Sequence, residues 1–94
     1  MLIIREVFTA KPGMASKLAA LFKDVIGALP DMNVRILTDV VGSFNTVVME
    51  TAVTSMAEFE QRLKEYASRQ DLHDRMKGYA DLYETGRREI YRVM

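Results

Sequence analysis

The hydrophobic periodicity of this chain switches between two and 3.6 in a set order, and that order leaves few folds open. Residues 2–9, LIIREVFT, are β-branched and aromatic enough for a strand, and KPG at 11–13 stops it with a turn. From Met14 the period becomes helical, with Leu18, Leu21, Phe22, Val25, Ile26 and Leu29 on one side and Lys17, Lys23 and Asp24 on the other. Pro30 ends that helix, because it disfavours helical geometry at Leu29.

Residues 33–41, NVRILTDVV, and 45–53, NTVVMETAV, are again β-rich, and they predict a hairpin with Gly42 and Ser43 as its two-residue turn. Ser55 followed by Glu58 is the capping-box spacing that opens a helix, with Met56, Phe59, Leu63 and Tyr66 as its buried stripe. SRQD at 68–71 interrupts it, and Ser68 with Asp71 repeats the capping pattern, so a kink or a second helix is expected before Leu72, Met76, Tyr79 and Tyr83 resume the stripe. The end of the chain, ETGRREIYRVM, is a charged strand. The order β-α-β-β-α-β in 94 residues predicts a single α+β domain over 1–94. Its ferredoxin-like antiparallel sheet has order 4-1-3-2, with both helices on one face. The other face is left bare, and a second copy of the chain is the economical cover.

Register follows from charge. Pairing residues whose numbers sum to 94 sets Arg5 opposite Glu89, Glu6 opposite Arg88, Ile4 opposite Ile90 and Phe8 over Gly86, whereas a slip of one residue opposes like charges. In the hairpin, Arg35 falls opposite Glu50, Leu37 opposite Val48 and Asp39 opposite Thr46. Arg35, Asp39, Thr46 and Glu50 then share the face turned away from the helices, while Val34, Ile36, Val47 and Met49 face them. Glu6, Phe8 and Arg88 are placed on the same bare face. A dry Glu6–Arg88 pair there implies that reversing one charge costs several kcal/mol.

As a group these residues form a polar lining for a ligand cavity. Glu6 and Glu50 are the candidates for proton transfer, Arg88 and Arg35 for orienting or stabilising an anion, Phe8 for a hydrophobic wall, and Asp39 and Thr46 for ligand contacts. The alternative is a set of cross-strand ion pairs that specify register and bind nothing.

Other chemistries find no support. Thirteen basic residues balance thirteen acidic ones along the chain, which argues against nucleic acid. Cysteine is absent and His73 is the sole histidine, so no metal site or Ser-His-acid triad is expected, and the five glycines form no phosphate loop. No apolar run spans a bilayer, and Arg5 and Glu6 interrupt any secretory segment, so the expected compartment is the cytoplasm. The seven methionines are scattered, as suits core filling.

The strand ending FTAKPG, the hairpin containing RILTD and FNTVVME, the interrupted second helix and the terminal GRREIYRV together resemble the dimeric α+β barrel superfamily. Within it they are similar to the NIPSNAP-like branch and the antibiotic biosynthesis monooxygenases, over essentially the full chain. The resemblance implies a homodimer whose two sheets face each other around a central barrel. It also implies relatives such as cofactor-independent monooxygenases of aromatic polyketides, haem-degrading enzymes and lactone isomerases. Haem degraders of this kind use a helix-two His, a strand-one Asn and a Trp. Here His73 is present, but Glu6 and Phe8 occupy strand one and Trp is absent, so no cofactor is expected. Two functions stay open: an enzyme that transforms a small apolar or aromatic molecule, or a noncatalytic dimer that binds a metabolite or protein partner.

Overall fold

A computed structural model describes all 94 residues. Strand β1 (Leu2–Ala10) leads into helix α1 (Ala15–Gly27), then β2 (Arg35–Thr38), β3 (Thr46–Val53), α2 (Met56–Ala67), α3 (Gln70–Arg75), a 3-10 turn at Tyr79–Asp81 and β4 (Tyr83–Arg92). The four strands are antiparallel in the order β2-β3-β1-β4, which is the expected 4-1-3-2 sheet. No helix is long and apolar enough to cross a membrane.

Local chemistry explains the joints. In KPG, Gly13 adopts φ +79 and the Met14 amide donates to the Lys11 carbonyl at 2.9 Å, a type II turn with Pro and Gly in their preferred places. Ser55 caps α2 by accepting from the Glu58 amide at 3.2 Å, and Glu58 reaches back to the amide and hydroxyl of Thr54. The second capping pattern works differently from expectation. Ser68 closes α2, donating its hydroxyl to the Glu65 carbonyl at 2.8 Å, and Arg69 precedes α3. The helical stripe also stops earlier than its spacing predicts, because Tyr79 lies in the 3-10 turn and Tyr83 already begins β4. Met56, expected in the buried stripe, is exposed at the entry of α2.

The register of β4 on β1 is the one that charge pairing predicts, with Arg5 opposite Glu89, Glu6 opposite Arg88 and Phe8 opposite Gly86. A bulge between Thr9 and Ala10 then sets Ala10 opposite Tyr83, which brings the Tyr83 ring round to the Phe8 side of the sheet. In the hairpin the pairing of Arg35 with Glu50 and of Leu37 with Val48 also holds. The two-residue turn does not. Strand β2 ends at Thr38, and residues 39–45 form a longer loop in which Asn45 takes a left-handed φ of 63 and Val40, Val41 and Phe44 are exposed.

The helices cover one face of the sheet and build two separate core clusters. Ala10, Leu18, Ala19, Phe22 and Val47 form the first, and Ile4, Val53 and Phe59 the second. Phe8 joins the first cluster against Phe22 and Tyr83, with ring centroids at 5.0 and 5.1 Å. It also lies across Gly86, where an added Cβ would meet its ring edge at 3.1 Å. Two flanking rings deny Phe8 room to retreat. Gly86→Val is therefore expected to destabilise by about 1–3 kcal/mol through overpacking. Urea unfolding should show a lowered midpoint at unchanged slope, and an unchanged midpoint would mean that Phe8 swings aside.

Candidate functional site

Alternation along the strands separates the predicted site residues into two groups on opposite faces. Ile4, Glu6 and Phe8 point toward the helices with Met49, Thr51 and Arg88, whereas Arg35 and Glu50 belong to the bare face with Arg5 and Glu89. The placement of Glu6, Phe8 and Arg88 on the bare face is thus corrected. Both faces of β1 carry one charge, and its pairing with β3 decides between them by setting Arg5, not Glu6, opposite Glu50.

On the bare face, charges alternate across all four strands. Arg35 pairs with Glu50, Glu50 with Arg5 at 3.5 Å, Arg5 with Glu89 at 3.7 Å, and Glu89 with Arg87 at 3.0 Å. Both carboxylates bridge two arginines. The Arg87 side chain, hydrogen-bonded to Glu89, holds that carboxyl below the usual carboxylate range, and Arg5 adds to the effect. Asp39 and Thr46 close the hairpin loop instead of meeting this row. Asp39 Oδ1 accepts from the Thr46 amide at 2.9 Å, and the Thr46 hydroxyl donates to the Ser43 carbonyl at 2.7 Å.

On the helix side, the gap between the two core clusters is a cavity of about 480 Å³. Glu6 sits on β1 between Ile4 of one cluster and Phe8 of the other, at the floor of that gap. The walls are mostly apolar: Val25, Ile26 and Leu29 from α1, Phe59 and Leu63 from α2, Leu72 from α3, and the thioethers of Met32, Met49 and Met76. Arg88 Nε donates to Glu6 Oε1 at 2.6 Å, and the guanidinium stands 5.0 Å over the Phe59 ring. The second Glu6 oxygen has no protein hydrogen bond. This pair is not dry, since the side chains of Arg88 and Glu6 are 45% and 23% exposed.

Other members of the wall were given no site role by the sequence reasoning, which read Tyr66 as buried stripe, set His73 aside and did not single out Arg62. Arg62 and Tyr66 line the cavity from α2, and His73 lines it from α3, exposed, with Nε2 3.2 Å from the Ala67 carbonyl. Arg62 is detectable in principle, because it lies four residues from both Glu58 and Tyr66 beside the Phe59 and Leu63 stripe. No cluster of three His, Cys, Asp or Glu side chains is arranged to hold a metal.

Solved structures share this architecture. A NIPSNAP domain protein from Burkholderia xenovorans superposes with a TM-score of 0.88 at 14% identity, over 100% of this chain and 95% of that one. A NIPSNAP family protein from Agrobacterium tumefaciens does so with a TM-score of 0.84 at 15% identity, over 100% and 94% of the two chains. SnoaB, a cofactor-independent oxygenase from Streptomyces nogalater, superposes with a TM-score of 0.70 at 12% identity, over 99% and 92%. No family model and no curated protein sequence matches the chain. The chain has the α+β fold of these NIPSNAP proteins and of the cofactor-independent oxygenase, as the sequence resemblance implies.

Two predictions arise from these charges. Reversing Glu6 and Arg88 singly and together should give a coupling of about 0.5–1 kcal/mol in a denaturation cycle, as for part-exposed pairs. A coupling of several kcal/mol would place the pair in a dry environment. Acid should destabilise the fold through Glu58, Asp71 and Glu89, whose carboxyls are held low by Thr54, Arg69 and Arg87 respectively. Their stabilisation is complete above the ordinary carboxylate range and is lost as pH falls through their depressed folded values. Urea titrations across acidic pH should show a shallower pH dependence in Glu58→Gln and Asp71→Asn than in the parent chain.

Proposed function

We propose that this protein is a homodimer that encloses a small, largely apolar or aromatic molecule between its sheet and its helices and moves a proton on it without a bound cofactor. The observation that carries this reading is the cavity of about 480 Å³ with the Glu6–Arg88 pair in its apolar wall. Glu6 accepts a proton from an acidic carbon or hydroxyl of the ligand through its unbonded oxygen. Arg88 stabilises the oxyanion that results, and Phe8 and Phe59 supply apolar wall beside it. Isomerisation needs nothing further, because the proton returns at another atom. Oxygenation needs molecular oxygen as the co-reactant, and the fold shared with a cofactor-independent oxygenase supports that variant.

Dimerisation rests on the bare sheet face, which no helix covers. Val7 and Val48 lie there opposite each other, both already buried within the single chain, and Leu37 beside the charge row is half-buried. A second copy laid on that face would form the barrel. Glu50 and Arg35 then belong to the interface and not to the chemistry. A noncatalytic reading is favoured by one observation, that Glu6 is already engaged by Arg88.

The experiment is native purification followed by sedimentation and by mass spectrometry of extracted small molecules. The expected result is twice the chain mass with an apolar or aromatic compound retained. Glu6→Gln should keep that compound bound and abolish its turnover. Turnover unaffected by Glu6→Gln would remove Glu6 from the mechanism, and a concentration-independent monomer would remove the barrel.

A further inference from the structure

The cavity contains polar groups that the Glu6–Arg88 pair leaves out of account. Arg62 and Tyr66 stand one helical turn apart on α2, so both side chains leave the same helix face, and both line the cavity. Arg62 Nη2 donates to Glu58 Oε1 at 2.9 Å. Its Nη1 is closed off from solvent and donates to nothing, and the Tyr66 hydroxyl is in the same condition. A buried donor without an acceptor costs free energy, and native structures keep few of them. Here two occur within one turn of one helix.

Their position adds meaning. Arg62 and Tyr66, with Leu29 and Met32, are shared between the main cavity and a smaller hollow of about 280 Å³ between α2 and the segment after α1. The two side chains therefore stand where the apolar chamber passes into a more polar one, with their donor atoms covered in the empty protein. Burial pushes the Tyr66 phenol up, which keeps its proton in place for donation. One charged and one neutral donor, carried one helical turn apart and both without an acceptor, are the kinds of donor that the two oxygens of a carboxylate take.

We propose that Arg62 and Tyr66 form a head-group subsite for a small aromatic or aliphatic carboxylic acid, whose carboxylate accepts from both donors while its apolar body fills the chamber between sheet and helices. The inference rests on the reading of that chamber as a ligand site and adds the ligand's class and polarity. The chamber is large enough for it. An engineered cavity of roughly 150 Å³ holds one benzene, so about 480 Å³ has room for two fused rings.

The test uses the full chain and two fluorescent probes of similar shape, 2-naphthoate and 2-methylnaphthalene. The absence of tryptophan leaves the naphthalene emission readable. The parent chain should bind both. Arg62→Met should weaken 2-naphthoate by about tenfold or more and Tyr66→Phe by several-fold, as expected for lost hydrogen bonds to a charged group. Both variants should still bind 2-methylnaphthalene, no more weakly than the parent chain because neither loses apolar wall, which also shows that the variants fold. Tyr66→Phe should raise the melting temperature of the ligand-free protein, because it removes an unpaired buried hydroxyl, and should lose that advantage once 2-naphthoate is present. Equal 2-naphthoate affinity in all three proteins, with the hydrocarbon still bound, would overturn the subsite and leave the chamber intact. Loss of 2-naphthoate in Arg88→Met but not in Arg62→Met would overturn it too, moving the carboxylate to the other end. Failure of both probes on the parent chain would overturn the ligand chamber and the subsite together.

Discussion

Everything in this fold hangs on one row of residues that crosses the sheet from edge to edge, Arg35, Glu50, Arg5 and Glu89, one from each strand and alternating in sign. Side chains alternate faces with a period of two, so a slip of one residue in any strand would exchange its faces as well as break the row. The row therefore does more than supply ion pairs. By holding Arg5 on the bare side, it commits Glu6 to the helix side, and with it Ile4 and Phe8. As isolated surface pairs these charges would contribute little. Their effect lies in excluding the alternative registers.

The helix side then inherits a problem of packing. Phe22 and Leu18 settle over Ala10 and Val47, while Phe59 settles over Ile4 and Val53, and each group closes on itself. Between them the strand offers a carboxylate at Glu6, which no aliphatic side chain can cover without loss. The result is a chamber in place of a continuous core. Arg88, reaching Glu6 from the neighbouring strand across the Phe59 ring, makes the carboxylate tolerable there.

Much of this was legible in the residues, for reasons that differ by element. Opposed charges and the Phe8–Gly86 pairing gave away the register of β4, because a wrong slip sets like charges together. The capping of α2 by Ser55 was legible because it is local chemistry. The hairpin loop was not: Val40 and Val41 look like strand, but Asp39 takes the Thr46 amide with its side chain and ends the ladder early. The face of β1 was the costliest omission. Arg5 and Glu6 are neighbours of opposite sign, and nothing in β4 distinguishes them, since each finds a partner there. The missing term was the pairing of β1 with β3, a long-range contact that only the assembled sheet supplies. Tyr66 was legible as part of the buried stripe of the second helix, and the spacing of Arg62 from Glu58 and Tyr66 was there to be read. That the two line a hollow shows itself only when the opposing wall is known.

The three methionines in the chamber wall, Met32, Met49 and Met76, come from three different segments of the chain. An unbranched thioether adjusts its rotamers at small energetic cost and presents a polarisable surface to whatever lies against it. A wall of this kind moulds itself to its contents and discriminates poorly between apolar bodies that differ by a methylene or a ring substituent. On the proposed ligand-binding function, selectivity then comes from the few fixed polar groups, and a set of related compounds, rather than one, can share the same chamber.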